Sequence, residues 1–104
     1  MRKNEFSFTI SPGAADDANE IALWYNNKID GLGYRFLSKL KTSFEKIHSS
    51  PSSFTGYKKK SDIRRYAVNG FPYKIYYLFK NDHIEILAII HMSRSNKFIR
   101  RKLH

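Results

Sequence analysis

The stretch from Ile63 to Arg94 constrains the fold more than any other part of the chain. It contains three short runs rich in Tyr, Phe, Ile and Val, at residues 63–68, 73–80 and 83–92. Turn-forming residues separate them, with Asn-Gly-Phe-Pro at 69–72 and Asn-Asp at 81–82. Short β-favouring runs divided by such residues are typical of an antiparallel meander. We therefore expect three consecutive strands here.

The expected register gives this meander two unlike faces. A two-residue turn at 81–82 puts alternate side chains of two strands on common faces. One face is then apolar, with Tyr73, Ile75, Tyr77, Phe79, Ile84, Ile86, Ala88 and Ile90. The other is mixed, with Lys74, Tyr76, Leu78, Lys80, His83, Glu85, Leu87, Ile89 and His91. A two-residue turn at 69–70 would place Arg65 opposite Lys74, although Pro72 cannot donate a ladder hydrogen bond there.

The first half of the chain predicts a strand and two helices. Phe6, Phe8 and Ile10 alternate with polar residues, as in a strand that joins the sheet. Ser11-Pro12 favours a helix start, and the helix is expected over roughly residues 12–28. After the break at 30–33, apolar residues at helical spacing predict a second helix that ends near 48–51. The order is β-α-α-β-β-β, an α+β domain with a helical hairpin on a small antiparallel sheet.

The net charge of +10 is concentrated in the second half of the chain. Residues 58–104 hold twelve Lys or Arg and only three Asp or Glu. This excess favours a polyanion or an acidic protein as partner, or is simply a solvated surface. Lys58, Lys59 and Lys60 lie in a polar loop and are candidates for holding phosphates. Residues 93–104 form a basic C-terminal tail, which is frayed, helical or ordered by a partner.

Composition also restricts the class of protein. With 104 residues the chain is expected to be a single domain, spanning 1–104. It has no cysteine, which excludes disulfides and thiolate metal sites and permits a reducing cytoplasm, the expected location. No apolar run is long enough to cross a membrane, so no membrane partner is expected. The four histidines lack metal-ligand spacing and no Gly-rich phosphate loop occurs, so neither a metal nor a cofactor is expected.

Several short motifs, taken in order, resemble one known family. They are Glu20–Tyr25, Gly31–Leu37, Ile47 with Pro51 and Phe54, Ile63–Arg65, Phe71–Tyr77 and Ile86–Arg94. Together they resemble the RelE/ParE superfamily of toxins from bacterial type II toxin–antitoxin (plasmid stabilisation) modules. The resemblance runs through residues 6–95.

The resemblance implies a compact toxin and a cognate antitoxin that wraps and neutralises it. RelE-like members cut mRNA at the ribosome, whereas ParE-like members inhibit DNA gyrase and are not known as nucleases. The Phe-Pro-Tyr turn and the His-Met-Ser-Arg ending are closer to ParE-like sequences. We therefore expect a ParE-like gyrase inhibitor, with a RelE-like endoribonuclease as the alternative. A non-toxic basic RNA-binding module is a further alternative, motivated by the charge.

The mixed face carries the residues that a metal-independent ribonuclease would need. Attack by a ribose 2′-OH requires a base, an acid and cations around the phosphorane. His91 could act as the base or acid, while Arg65, Lys74 and Arg94 could stabilise charge. Other residues are candidates for binding a target or nucleic acid, among them Tyr76, Arg64, Arg100 and Arg101. The structural alternative is that His91 forms a hydrogen bond with the backbone and that the arginines form ion pairs with acidic residues. Leu78, Leu87 and Ile89 on the same face favour a binding surface for the tail or for a bound segment.

Overall fold

The computed structural model describes residues 5–58 and 61–103, which form four strands and three helices. In chain order the elements are β1 (Ser7–Ile10), α1 (Pro12–Lys28), α2 (Leu32–Ser49), β2 (Ile63–Ala67), β3 (Tyr73–Lys80), β4 (His83–His91) and α3 (Asn96–Leu103). The predicted β-α-α-β-β-β order is confirmed. The tail adds a third helix, one of the three possibilities left open for it.

Local chemistry fixes both ends of α1. Ser11 has extended backbone, and its hydroxyl accepts a hydrogen bond from the Ala14 N–H at 3.1 Å. Pro12 follows at the first helical position, where no N–H partner is needed. At the other end the Ile29 N–H bonds to the Tyr25 carbonyl, and Ile29 is already extended. The predicted bounds of 12–28 are confirmed.

Gly33 allows the two long helices to approach each other closely. A Cβ at this position would overlap the carbonyl oxygen of Ala22 and the side chain of Asn26. The Gly33 N–H instead donates to Asn26 Oδ1 at 2.7 Å. The Gly31-Leu32-Gly33 break is therefore the place where the hairpin packs most tightly, and no larger residue fits at Gly33 without separating the helices.

The sheet has the strand order β1-β4-β3-β2. The meander of β2, β3 and β4 is antiparallel, as predicted, whereas β1 pairs with β4 in parallel. The expectation of a purely antiparallel sheet is therefore wrong, because the helical hairpin returns the chain so that β1 and β4 point the same way. The sheet is mixed.

The β3–β4 turn has the predicted two residues, but the register changes further along. Asn81 and Asp82 both have positive φ, at 53° and 60°, and Lys80 pairs with His83. Tyr77 then faces Ile86 while Tyr76 faces Ala88, so Leu87 has no partner across the pair. This β-bulge moves every later residue of β4 to the opposite face.

Contacts with α1 hold the bulged part of β4. Beyond Ile86 there is no β1 residue to pair with the outer edge of β4. There the Ser11 N–H donates to the Ile86 carbonyl at 2.9 Å and the Ser11 hydroxyl to the Leu87 carbonyl at 3.2 Å. The Ile89 N–H donates to Asp17 Oδ2 at 3.0 Å. The edge groups that a longer β1 would have satisfied are thus satisfied by the start of α1.

The larger core lies between the sheet and the α1–α2 hairpin. Its fully buried side chains include Phe36, Ile47, Ile75, Tyr77, Ile84 and Ile86. Aromatic rings from both layers meet edge to face, such as Phe36 with Phe71 and Tyr25 with Phe71. The prediction that Ala88 and Ile90 face the helices is wrong, since the bulge turns Ile89 inward in their place.

The second, smaller core lies on the opposite face of the sheet, beneath α3. Ile99 of α3 packs with Tyr76, Ala88 and Ile90 in this cluster, with Leu103 at its border. Lys102 of α3 also forms an ion pair with Asp17 of α1 at 2.8 Å. We call the sheet surface formed by Tyr76, Ala88 and Ile90 the covered face.

Candidate functional site

Arg65 and Tyr76 lie opposite each other on β2 and β3, on the side of the sheet away from the hairpin. Tyr76 is only 2% exposed, because α3 covers it. Burial raises the pKa of Tyr76 above its ordinary value, and the nearby Arg65 guanidinium only partly opposes that rise. A phenol held neutral under a helix cannot offer its ring for stacking on a nucleobase while α3 is in place.

Lys74 lies on the same side but two residues further along the sheet than the proposed register required. It faces Ala67 on β2 and Ile90 on β4, rather than Arg65. The reason is that the β2–β3 connection has five residues, 68–72, instead of a two-residue turn. The Val68 N–H closes this loop on the Tyr73 carbonyl, and Gly70 supplies its positive φ of 83°.

His91 lies on the hairpin side of the sheet, so its predicted place beside Lys74 and Tyr76 is wrong. It pairs with Tyr73 across the strands, with ring centroids 5.0 Å apart. The Ser93 N–H and hydroxyl lie 3.0 Å and 2.8 Å from His91 Nδ1. Since an N–H donates to it, Nδ1 serves as an acceptor, which leaves Nε2 as the donor of the neutral ring.

A cavity of about 570 Å³ opens beside His91, at the end of the sheet. We call it the terminal cup; its lining is Glu20, Ile21, Trp24, Tyr25, Pro72, Tyr73, His91 and Arg94. Burial is the main cause of a raised pKa at Tyr25 and at Tyr73, while the Arg94 guanidinium lowers that of Tyr73. Trp24 remains 54% exposed at the rim. Trp, Tyr and Arg around a concave surface are the composition of a protein-binding hot spot.

The four catalytic candidates are divided between two places. Arg65 and Lys74 lie on the side of the sheet where α3 packs, whereas His91 and Arg94 line the terminal cup. The catalytic roles of these residues stay predictions. The shared surface on which they were expected to cooperate is absent among the described residues.

The basic loop residues have separate surroundings. Arg64 donates from Nη1 to the Phe54 carbonyl at 2.8 Å, which holds the loop against β2. The Lys58 ammonium lies 5.5 Å from the centre of the Tyr57 ring. Lys59 and Lys60 fall outside the described residues. Their proposed contact with phosphates stays a prediction.

The α3 helix presents the remaining candidates to solvent. Arg100 and Arg101 are exposed, and so is Lys97. A cavity of about 400 Å³, the α3 cleft, is lined by Ser93, Arg94, Ser95, Lys97, Phe98 and Arg101. The Arg94 guanidinium lies 4.4 Å from the centre of the Phe98 ring.

A third concave surface, the hairpin groove, lies between α1 and α2 beside the end of β1. It has a volume of about 320 Å³ and is lined by Ile10, Ala14, Ala15, Ala18, Asn19, Leu37, Leu40, Lys41 and Phe44. The lining is almost entirely apolar, with small residues on α1 and large ones on α2. Such a surface on a small domain is suited to burial by another chain.

Across residues 5–58 and 61–103 no group of three or more His, Cys, Asp or Glu side chains is arranged to hold a metal ion. In the same ranges no helix has the length and apolar character needed to cross a bilayer.

Comparison with known proteins now adds to this geometry. A family model described as the ParE toxin of the type II toxin–antitoxin system parDE matches residues 8–96. The match runs from β1 to the first residue of α3. The chain belongs to the ParE toxin family. The superfamily recognised in the sequence motifs is thereby confirmed, and the ParE branch is the one that matches.

The fold of this ParE-family chain is also that of a solved structure. The structure titled "Chromosomal ParDE TA system from P. aeruginosa" contains a chain that superposes with a TM-score of 0.75 at 15% sequence identity. The alignment covers 86% of this chain and 99% of the other. No curated protein matched in the corresponding sequence search.

Sequence reasoning missed two features of the site. Nothing in the sequence pattern singles out Asp17, yet its side chain joins α1, β4 and α3. Trp24 is not among the candidate site residues, yet it lines the terminal cup and is exposed. The available signal for Trp24 was that a large aromatic residue lay outside the helical stripe, which predicts exposure rather than core packing.

Proposed function

We propose that this chain arrests bacterial growth by binding DNA gyrase, that it catalyses no reaction on RNA, and that a cognate antitoxin neutralises it. Membership of the ParE toxin family supports the toxin role. The sequence features that resemble ParE support gyrase as the target. The choice between inhibitor and nuclease rests on the geometry below.

The observation that carries the proposal is that the candidate catalytic residues lie on opposite sides of the sheet and that α3 covers Tyr76 on one of them. Tyr76 is buried under Ile99, and His91 lies on the far side of the sheet from Lys74. General acid–base catalysis requires its groups within hydrogen-bond reach of one reacting phosphate. The surface therefore favours recognition of a macromolecule over cleavage of one.

Two assays run side by side test the target. Purified protein should stop gyrase supercoiling of plasmid DNA and should leave mRNA intact in a translation reaction. Intact supercoiling together with cut mRNA would contradict the proposal and favour the ribosome-dependent endoribonuclease. Unimpaired growth at confirmed expression of the folded protein would argue against a toxin of either kind.

Two substitutions sharpen the choice. His91→Ala and Arg65→Ala each remove a candidate catalytic residue, so both variants should still arrest growth if no catalysis is involved; Arg65→Ala is the cleaner test, because His91 also lines the terminal cup. Restored growth in either variant, with antitoxin binding unchanged, would point to catalysis. Thermal unfolding of each variant controls for loss of the fold.

For the antitoxin, the hairpin groove is the surface best suited to binding. The similar solved structure is titled as a ParDE toxin–antitoxin system, which motivates a protein partner here. An amphipathic segment could bury its apolar side against Ala15 and Leu37 while an acidic side chain approaches Lys41. The β-branched or leucine side chains of such a segment would fill the space left by the alanines of α1.

A charge introduced into the hairpin groove tests whether the antitoxin binds there. Ala15→Glu should abolish rescue by the co-expressed antitoxin while toxicity remains, because it buries a carboxylate against apolar side chains. Asn27→Glu is the matched control, since it adds the same charge to an exposed position of α1. Equal rescue of both variants would exclude the groove.

A further inference from the structure

The α3 helix carries cations that form no ion pair with the other described residues. Within the described residues, Lys102 is the α3 cation with a carboxylate inside 4 Å, through its pair with Asp17. Lys97, Arg100 and Arg101 have no such partner there, and all three are exposed. Unpaired cations clustered on one helix are an electrostatic footprint for an anion.

The α3 cleft gathers part of this charge in one concave place. Arg94, Lys97 and Arg101 line it together with the serines 93 and 95, and its lining includes no carboxylate. Lys97 and Arg101 are four residues apart, so their side chains share one face of the helix. Guanidinium, ammonium and hydroxyl groups are the donors that bind phosphate oxygens in proteins.

Buried contacts fix the helix that presents these donors. Ile99 and Leu103 pack on the covered face, and Lys102 is tied to Asp17. At its start, the Phe98 N–H donates to the Ser95 hydroxyl at 3.1 Å. The cations are therefore held on a defined surface rather than on a freely moving chain end, which lowers the entropic cost of binding.

We propose that the α3 cleft and the adjoining basic side of α3 bind the phosphate backbone of duplex DNA directly, without gyrase. This contact is separate from the hairpin groove and from the terminal cup's aromatic rim. This contact would place the toxin on the DNA duplex that gyrase, its proposed target, also binds.

The aromatic groups near α3 favour duplex over single-stranded nucleic acid. Single-strand binding relies on exposed aromatic faces on which bases stack. The Arg94 guanidinium lies over one face of the Phe98 ring, and Tyr76 is buried beneath α3. The donors to phosphate are more accessible than the aromatic faces beside them, which matches binding to the duplex backbone. A protein partner would likewise find little apolar surface to bury in this cleft.

The test is the salt dependence of binding to a short fluorescent DNA duplex, followed by anisotropy with the full chain alone. The variant Lys97→Gln/Arg101→Gln removes two cations from α3, one lysine and one arginine that are four residues apart in the chain. Its matched control, Arg35→Gln/Lys39→Gln, removes the same two charges at the same spacing from exposed positions of α2. Each lost phosphate contact lowers the slope of log K against log salt by about 1. We expect the α3 variant to lose about 2 from the slope and the control to keep the parent value.

Four results would overturn the proposal. The first is an equal loss of slope in both variants, which would indicate only an effect of net charge, and the second is the absence of salt-dependent binding by the parent chain. The third is tighter binding to single-stranded RNA than to the duplex. The fourth is equally effective competition by polyglutamate of the same charge, which would indicate a site for an acidic protein. Because the assay contains no gyrase, its outcome is independent of the proposed target. Circular dichroism of both variants verifies that the helices are intact.

Discussion

The two faces of the sheet differ in how they are covered. On one side, the α1–α2 hairpin of 17 and 18 residues buries a continuous aromatic and aliphatic core. On the other, the eight residues of α3 cover part of the sheet with Ile99 as their one buried side chain. Adjacent tyrosines show the contrast, because Tyr77 donates its hydroxyl to the Pro51 carbonyl at 2.6 Å inside the large core and Tyr76 lies beneath α3.

This difference separates the part of the molecule that keeps the fold from the part that carries the charge. An isolated helix of eight residues is marginal in water, so α3 owes its structure to contacts with the sheet. Those contacts are few, and they end in the ion pair between Lys102 and Asp17. The hairpin side should therefore unfold with the whole protein, and the α3 side should open locally at a lower free energy.

The largest expected effect is on the hairpin side. Phe36 is fully buried between the helices and the rings of Phe71 and Tyr73. Phe36→Ala should lower the free energy of unfolding by about 3–5 kcal/mol, because it removes a large ring and leaves a cavity. Urea denaturation measures this loss. A change below about 1 kcal/mol would mean that this core is not the main source of stability.

A loss of stability of intermediate size is expected when the pH is raised, because Tyr77 is buried on the hairpin side of the sheet. Burial raises the pKa of Tyr77 to about 12, against an ordinary value of 10.0 and despite the opposing Arg64 charge. The neutral phenol therefore contributes stability that is fully present below pH 10 and is lost as the pH rises through about 12. A rise of this size corresponds to about 3 kcal/mol.

Denaturation at a series of pH values, with Tyr77→Phe as the comparison, measures this dependence. The variant should be less stable near neutral pH, because the Pro51 carbonyl loses its donor, but should show a smaller fall between pH 10 and 12. Tyr76 also has a raised pKa, so part of the fall remains in the variant. Identical alkaline profiles would contradict the role assigned to Tyr77.

The smallest global effect is expected from α3. Ile99→Ala removes its one buried side chain, yet the helix can detach without unfolding the hairpin core. We expect a loss of about 1 kcal/mol or less in global unfolding, with faster hydrogen exchange at the α3 amides and at Tyr76. A loss in the free energy of global unfolding equal to that of Phe36→Ala would show that the hairpin and α3 unfold as one cooperative unit.

Local chemistry made much of the fold predictable. The Ser11-Pro12 start, the Asn81-Asp82 turn and the helical spacing from Leu32 to Ile47 each depend on neighbouring residues, and each was confirmed. The β1 direction could not be predicted in this way, because it depends on how the hairpin returns the chain to the sheet. The five-residue β2–β3 loop was missed because Asn69-Gly70 has the composition of a two-residue turn.

The candidate site was less predictable, and the bulge at Leu87 is the physical reason. Strict alternation along β4 put His91 beside Lys74, whereas one unpaired residue moved it to the opposite face.

The sequence by itself determined the elements, the apolar side of the hairpin, the concentration of positive charge and the family motifs, since these depend on residue type and spacing. The tertiary structure alone decided which candidate residues share a surface, because the bulge in β4 separates His91 from Lys74. Contacts between distant parts of the chain hold that bulge, where Ser11 before α1 and Asp17 within it satisfy the carbonyls and the N–H that β4 leaves without a strand partner.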